Sequence, residues 1–159
     1  MTVTNQGDAN AHGLEEVHAE AESRIKTFHY NKPSEYSGKK AMVELARTDI
    51  LRGLIQVVPD GGENNLHYHP SMDSFYIVIK GRVRFYGPED KLLGEFGPME
   101  GLSMPRNARY WFESAGDEEL ELLQVAATVP AVEGPMRIDA SPRKWEHNTN
   151  QHFDAPPPE

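Results

Sequence analysis

The chain contains no cysteine in its 159 residues, which removes thiolate nucleophiles, iron–sulfur clusters, Cys-ligated zinc and disulfide staples. Any metal it holds must therefore sit on histidine, carboxylate, phenolate or water. No apolar run is long enough to span a bilayer and no basic-then-apolar leader opens the sequence, so a soluble, cytoplasmic protein is expected. Basic residues are scarce too: 16 Lys and Arg stand against 25 Asp and Glu, a formal net charge of −9. That average field argues against nucleic acid or an anionic membrane as partner, because both are gripped by basic patches. A local group of arginines can still capture an acidic small molecule inside an acidic protein.

Length predicts one domain, able to bury about two-thirds of the surface its unfolded chain exposes. Residues 1–27 read as an N-terminal extension, partly flexible, with a short helix over Leu14–Ala21. From Phe28 the texture changes to short alternating segments cut by Gly, Pro and Asp turns. Strands are expected at 41–47, 51–58, 65–69, 74–80, 82–87, 91–96, 102–104, 109–114 and 119–128. Many short strands with frequent turns, and no long helical crossovers, indicate an all-β sandwich or barrel over residues 28–130. Glu118–Leu123 has helical propensity, but its neighbourhood makes a strand the better reading. Residues 131–159 form a polar C-terminal extension with a Pro-rich tail, expected to be irregular, in which Trp145 is placed to dock on the barrel.

His67-Tyr68-His69 is the segment with chemistry. Histidines at i and i+2 of a strand point to the same side, the arrangement that grips one transition-metal ion. Spacing alone equally describes two surface histidines. The frame adds weight: Pro59-Asp60-Gly61-Gly62 precedes the pair, and Phe75-Tyr76-Ile77-Val78-Ile79 leads from it to Lys80-Gly81. His12, His18, His147 and His152 fall in segments expected to be exposed, and His29 lies just ahead of the barrel.

Gly61, His67-x-His69, Pro70, an acidic position and Gly81 resemble the first motif of the cupin superfamily. Gly101-Leu102-Ser103-Met104-Pro105-Arg106-Asn107-Ala108-Arg109-Tyr110-Trp111-Phe112 is similar to the second. The resemblance covers roughly residues 41–128. It implies a single cupin-type double-stranded β-helix (jelly-roll) barrel, with an ion held inside by two His, a Glu and a further His. Here the Glu position falls on Asp73 or on Ser74, depending on which end the spacing is counted from, and the His position is Tyr110. Asn107 replaces the usual turn glycine, a mild change because Asn tolerates the left-handed conformation.

The candidate metal ligands are thus His67, His69, Asp73 and Tyr110, for a divalent Fe, Zn, Mn or Ni ion. Tyr110 is also the candidate catalytic acid or base. Asp73 has a competing role as a turn residue, and Tyr110 has one as a group that only packs or hydrogen-bonds in the pocket. Arg47, Arg52, Arg106 and Arg109 are the nearby cations; Arg47 and Arg52, with Tyr76, are the candidate substrate contacts. Three readings follow: a metal-dependent enzyme of dioxygenase, isomerase, lyase or cyclase type acting on a small organic substrate; a binding or sensory protein with a degenerate metal site; and metal-free proton transfer by a pocket His and Tyr110. The resemblance also implies a homodimer paired through sheet edges or faces.

Overall fold

Alternation of apolar and polar side chains from Lys40 onward resolves into eleven strands in the computed structural model, which describes residues 6–60, 64–140 and 150–159. They are β1 (Lys40–Arg47), β2 (Leu51–Val58), β3 (His67–Tyr68), β4 (Met72–Lys80), β5 (Val83–Tyr86), β6 (Leu92–Phe96), β7 (Gly101–Met104), β8 (Trp111–Ser114), β9 (Leu120–Thr128), β10 (Ile138–Asp139) and β11 (Asn150–Asp154), preceded by helix α1 (Gln6–Ser23). One sheet runs β11-β1-β2-β9-β4-β7. Facing it are the ribbon β10-β3 and the sheet β6-β5-β8. A bridge between His67 and Tyr110 joins the ribbon to β8, so the second layer is nearly continuous.

Register decides which side chains share the interior. Leu54 opposes Gln124, which opposes Tyr76; Gln56 opposes Leu122, which opposes Val78. Cross-strand partners project to one face, so Gln56, Gln124, Ser74 and Tyr76 all point inward with Val58, Leu120, Leu122 and Val78. Met104, opposite Ser74, joins them from β7, and Val83, Phe85, Phe112 and Tyr110 close that core from the other layer. The outer face of the large sheet carries Val43, Leu45, Ile55 and Leu123 together with Phe153 of β11, and Tyr30 before the barrel and Ala155 after it pack against them.

Glu118–Leu123 shows why alternation outweighs helix propensity: Leu120 and Leu122 are both fully buried on one face of β9, a placement that a helix would scatter around its axis. Gly81 holds φ at +77°, and a Cβ there would meet Glu119 O at 2.9 Å. Asn107 holds φ at +67° in the turn before β8, as its residue type permits.

Two segments differ from the sequence reading. The helix is longer than Leu14–Ala21, and its side chains from Gly13 to Ser23 are exposed. The C-terminal extension, expected to be irregular, supplies β10, antiparallel to β3, and β11, parallel to β1. Ladder hydrogen bonds at a sheet edge need backbone, not apolar side chains, so composition could not foretell them. Trp145 and His147 lie outside the described residues, as do Gly61 and Gly62. Among the described residues no helix is long and apolar enough to cross a membrane.

Candidate functional site

His67 and Tyr110 exchange both backbone hydrogen bonds, His67 N to Tyr110 O at 3.0 Å and Tyr110 N to His67 O at 2.9 Å. Directly opposed antiparallel residues present their side chains on the same face, and the two rings accordingly sit 4.5 Å apart between centroids. His69 follows on that face, its ring 5.1 Å from that of His67. The loop before β3 is fixed by Asn64, whose Oδ1 accepts the Phe112 N–H. Sequence spacing alone paired the histidines; the β3–β8 bridge is what brings Tyr110 to them.

Each imidazole is oriented through Nδ1. His67 Nδ1 donates to Asn65 O at 2.7 Å and His69 Nδ1 to Met136 O at 2.6 Å. Donation from Nδ1 fixes the tautomer and leaves Nε2 as a lone pair. Burial holds the His67 pKa well below its usual value, with the Arg137 charge adding to the effect. Burial also lowers that of His69, which is less enclosed and marks the open side of the site. Both rings are neutral bases at pH 7.

This neutrality sets a pH dependence of stability. Unfolded histidine titrates near 6.5 and takes up protons that the folded rings refuse, so stability is full above that pH and declines as pH falls below it. The slope reaches up to about 1.4 kcal/mol per pH unit for each such group. Urea unfolding at pH 7.5, 6.5 and 5.5 is expected to show this decline, and a shallower one for His67→Gln. Equal slopes would mean that His67 protonates freely in the fold. Glu44, held down to about 2 by its hydrogen bond to Arg47, releases its contribution only at lower pH.

Two short runs of hydrogen bonds cross the interior, and the second ends beside His67. Gln56 Nε2 donates to Gln124 Oε1 at 2.9 Å, and Gln124 Nε2 to Ser74 Oγ at 3.2 Å. Ser74 shares that inner face with Tyr76, whose hydroxyl lies 2.6 Å from that of Tyr110. An amide N–H can only donate, so the Ser74 oxygen accepts. Either phenol can donate in the Tyr76–Tyr110 pair; when Tyr76 does, the Tyr110 O–H is left to donate outward. Burial raises both phenols, Tyr110 to about 12 and Tyr76 well above its usual value, so both keep their protons.

Several expected site residues stand elsewhere. Asp73 is a correction: its register partner is the exposed Ala127, and its carboxylate accepts Arg106 N–H at 2.7 Å with the Arg106 guanidinium at 3.5 Å. It closes the 105–108 turn, and Ser74, one residue on, faces inward. Arg106 is thereby occupied at the surface, and Arg109 is exposed. Arg47 and Arg52 both bind the Glu44 carboxylate, each at 2.8 Å. Arg47 also lines an apolar groove of about 240 Å³ on the outer face with Phe28, Leu51 and Val125. Arg52 shares the inner face with Ser74 through Ala126. Tyr76 is wholly enclosed, its hydroxyl against that of Tyr110. His29 is exposed, its N–H bonded to Pro156 O, and His18 and His152 are exposed too.

Sequence reading missed Gln56, Gln124, Arg137 and Asp139. The two glutamines were detectable in principle, because each interrupts an apolar face of its strand: Leu54-x-Gln56-x-Val58 and Leu122-x-Gln124-x-Ala126. Arg137 and Asp139 were not, since the β10–β3 pairing that places them had no sequence signal.

A resident metal ion of the kind the resemblance implies does not fit these residues. Two imidazoles with Nε2 lone pairs are suitable, but the inward side chain on β4 is a serine, and the phenol at the remaining position is pushed away from ionisation. Among the described residues no three His, Asp or Glu side chains are placed to hold a metal ion. The charges of Arg137 and of buried Lys40 also reach His67, and a divalent cation would bind against both.

No family model matches the chain. It is 33% identical over 84 residues to "Polyketide synthase CurC" of Streptomyces cyaneus, an alignment covering 51% of each. The chain thus spans about half the length of the curated relative it matches. Among solved structures it is similar to a conserved protein with a double-stranded β-helix domain from Klebsiella pneumoniae, at TM-score 0.58 and 19% identity over 76% of this chain and 94% of that one. It is also similar to an RmlC-like cupin family protein from Methanocaldococcus jannaschii, at TM-score 0.54 and 19% identity over 65% and 91%. With two facing layers of strands, an inward His-x-His and these neighbours, the chain has the cupin fold, an RmlC-like double-stranded β-helix.

Proposed function

We propose that the barrel interior binds a small phenolic or enolisable organic molecule and moves a proton on it by acid–base chemistry that requires no resident metal. The observation that carries this reading is the 2.6 Å contact of the buried Tyr76 and Tyr110 hydroxyls, beside a neutral His67 whose Nε2 is a lone pair. A base and a donor side by side are the two parts that proton transfer at an enol or phenol requires. His67 Nε2, with His69 at the more open side, takes the proton. Tyr110 donates to the ligand oxygen on which negative charge develops, and Tyr76, donating to Tyr110 from behind, strengthens that donor. Similarity to a protein named as a polyketide synthase supports the substrate class, because polyketide chains are rich in β-dicarbonyl and phenolic carbons.

The test uses untagged protein, treated with EDTA, and 1,3-dihydroxynaphthalene as probe. Deuterium exchange at its ring carbons in D₂O, followed by proton NMR, is expected to accelerate with protein and to survive chelation. It should fall about a hundredfold in His67→Ala, the ordinary size of a lost general base. A second reading, metal-dependent turnover, is favoured by the two Nδ1 tethers, an orientation typical of ligating histidines. One metal ion per chain by elemental analysis, absent from His67→Ala, with exchange abolished by EDTA, would establish that reading and sink ours. Binding with no exchange would point to a receptor rather than an enzyme.

A further inference from the structure

We infer that Arg137 selects the substrate of this pocket and that the molecule it takes carries a carboxylate, held by the two terminal nitrogens of the guanidinium. The inference rests on the pocket reading above and adds to it the charge of the ligand. Its basis is the short strand β10, where Ile138 opposes Tyr68 and Asp139 opposes His67. Antiparallel register then sets Arg137 across from His69, on the face that carries both imidazoles. The neighbouring Met136 carbonyl accepts the His69 Nδ1 proton, which ties β10 to the site at a second point.

The state of the guanidinium suits it to this task. Asp139, whose side chain is 5% exposed, takes Arg137 Nε at 2.8 Å. That contact positions the group without using its outer edge. Among the described residues neither terminal nitrogen of Arg137 has a hydrogen-bond partner, while the side chain is 40% exposed and so open to an incoming ligand. By contrast Arg47 and Arg52 share one carboxylate, and Arg106 is occupied by Asp73. The Arg137 charge also reaches the whole pocket, lowering the pKa of His67, His69, Tyr76 and Tyr110. An anion bound there meets that field with the favourable sign, and a planar fork of N–H donors matches a carboxylate better than any other common anion short of phosphate.

The test compares 3,5-dihydroxybenzoate with 3,5-dihydroxybenzamide, equal in shape and phenolic character and different in charge, by NMR titration at pH 7.5. The benzoate is expected to bind at least about tenfold more tightly, the scale of one charge-assisted contact. Arg137→Gln should reduce that ratio to near unity without weakening the amide. Arg137→Lys should keep part of it, because the charge remains and the fork is lost; this variant also decides the matter where the glutamine protein folds poorly. Equal affinities for the two probes in the parent protein, both weakened by His67→Ala, would overturn the role of Arg137 and leave the pocket reading standing. Failure of both probes to bind would overturn the two together.

Discussion

Replacing Phe85 with alanine is expected to lower the folding stability by about 3–5 kcal/mol, the range for removing a large aromatic side chain from a packed core. Phe85 is fully buried. Its ring lies 5.2 Å from that of Tyr76, 5.1 Å from Phe112, and 6.2 Å from both Tyr110 and Phe96. These separations are those of favourable tilted and edge contacts, and β5 holds Phe85 opposite Phe112 in the ladder, so neighbouring backbone cannot collapse into the void. A domain of this size is stable by roughly 5–15 kcal/mol; the variant would lose a large share of that. Urea denaturation at pH 7.5 measures the difference, and a loss under about 1 kcal/mol would show that the cluster repacks. Because Phe85 backs both Tyr76 and Tyr110, the variant should also weaken binding of 3,5-dihydroxybenzamide, a neutral probe that does not depend on Arg137.

The barrel was legible in the sequence because several of its strands alternate where one face is buried, β4 and β5 most clearly. Leu120 and Leu122 on β9, and Tyr76 and Val78 on β4, sit at period two, and the turns between strands carry Gly, Pro, Asn or Asp. The His67–His69 pair was legible for the same reason, since parity alone puts both rings on one side. The third position was not, because two ways of counting differ by one residue and a strand turns that residue over. Only the β4–β9 register, with Asp73 opposite Ala127 and Ser74 opposite Ala126, separates surface from interior. Arg137 and Asp139 lay beyond reach for a different reason: they enter through a two-residue strand whose partner is distant in the chain. Nothing local distinguishes such a segment from the tail around it.

Building the missing ligands into the site is expected to produce a metal-binding protein from this one. The double variant Ser74→Glu with Tyr110→His places a carboxylate and an imidazole at the two inward positions that now hold neutral hydroxyls, on β4 and just ahead of β8. With His67 and His69 already tethered through Nδ1, the set becomes three imidazoles and one anion, suited to zinc or nickel. Isothermal titration with nickel chloride should show an affinity at least about a hundredfold above that of the parent, a gain of roughly 2.7 kcal/mol. Without metal the variant should be less stable than the parent, because the new carboxylate is buried beside the Gln124 amide and loses its hydration. Removing the Tyr110 hydroxyl also leaves the buried Tyr76 hydroxyl without its partner. Nickel should then raise the thermal midpoint of the variant and leave that of the parent nearly unchanged, since only a ligand that favours the folded state shifts the balance. If the parent binds nickel as tightly as the variant, two imidazoles already suffice, and the argument that a carboxylate is the missing part fails. If neither binds, the obstacle is the positive field of Arg137. The triple variant with Arg137→Gln, expected to bind more tightly than the double one, separates that cause from poor ligand geometry.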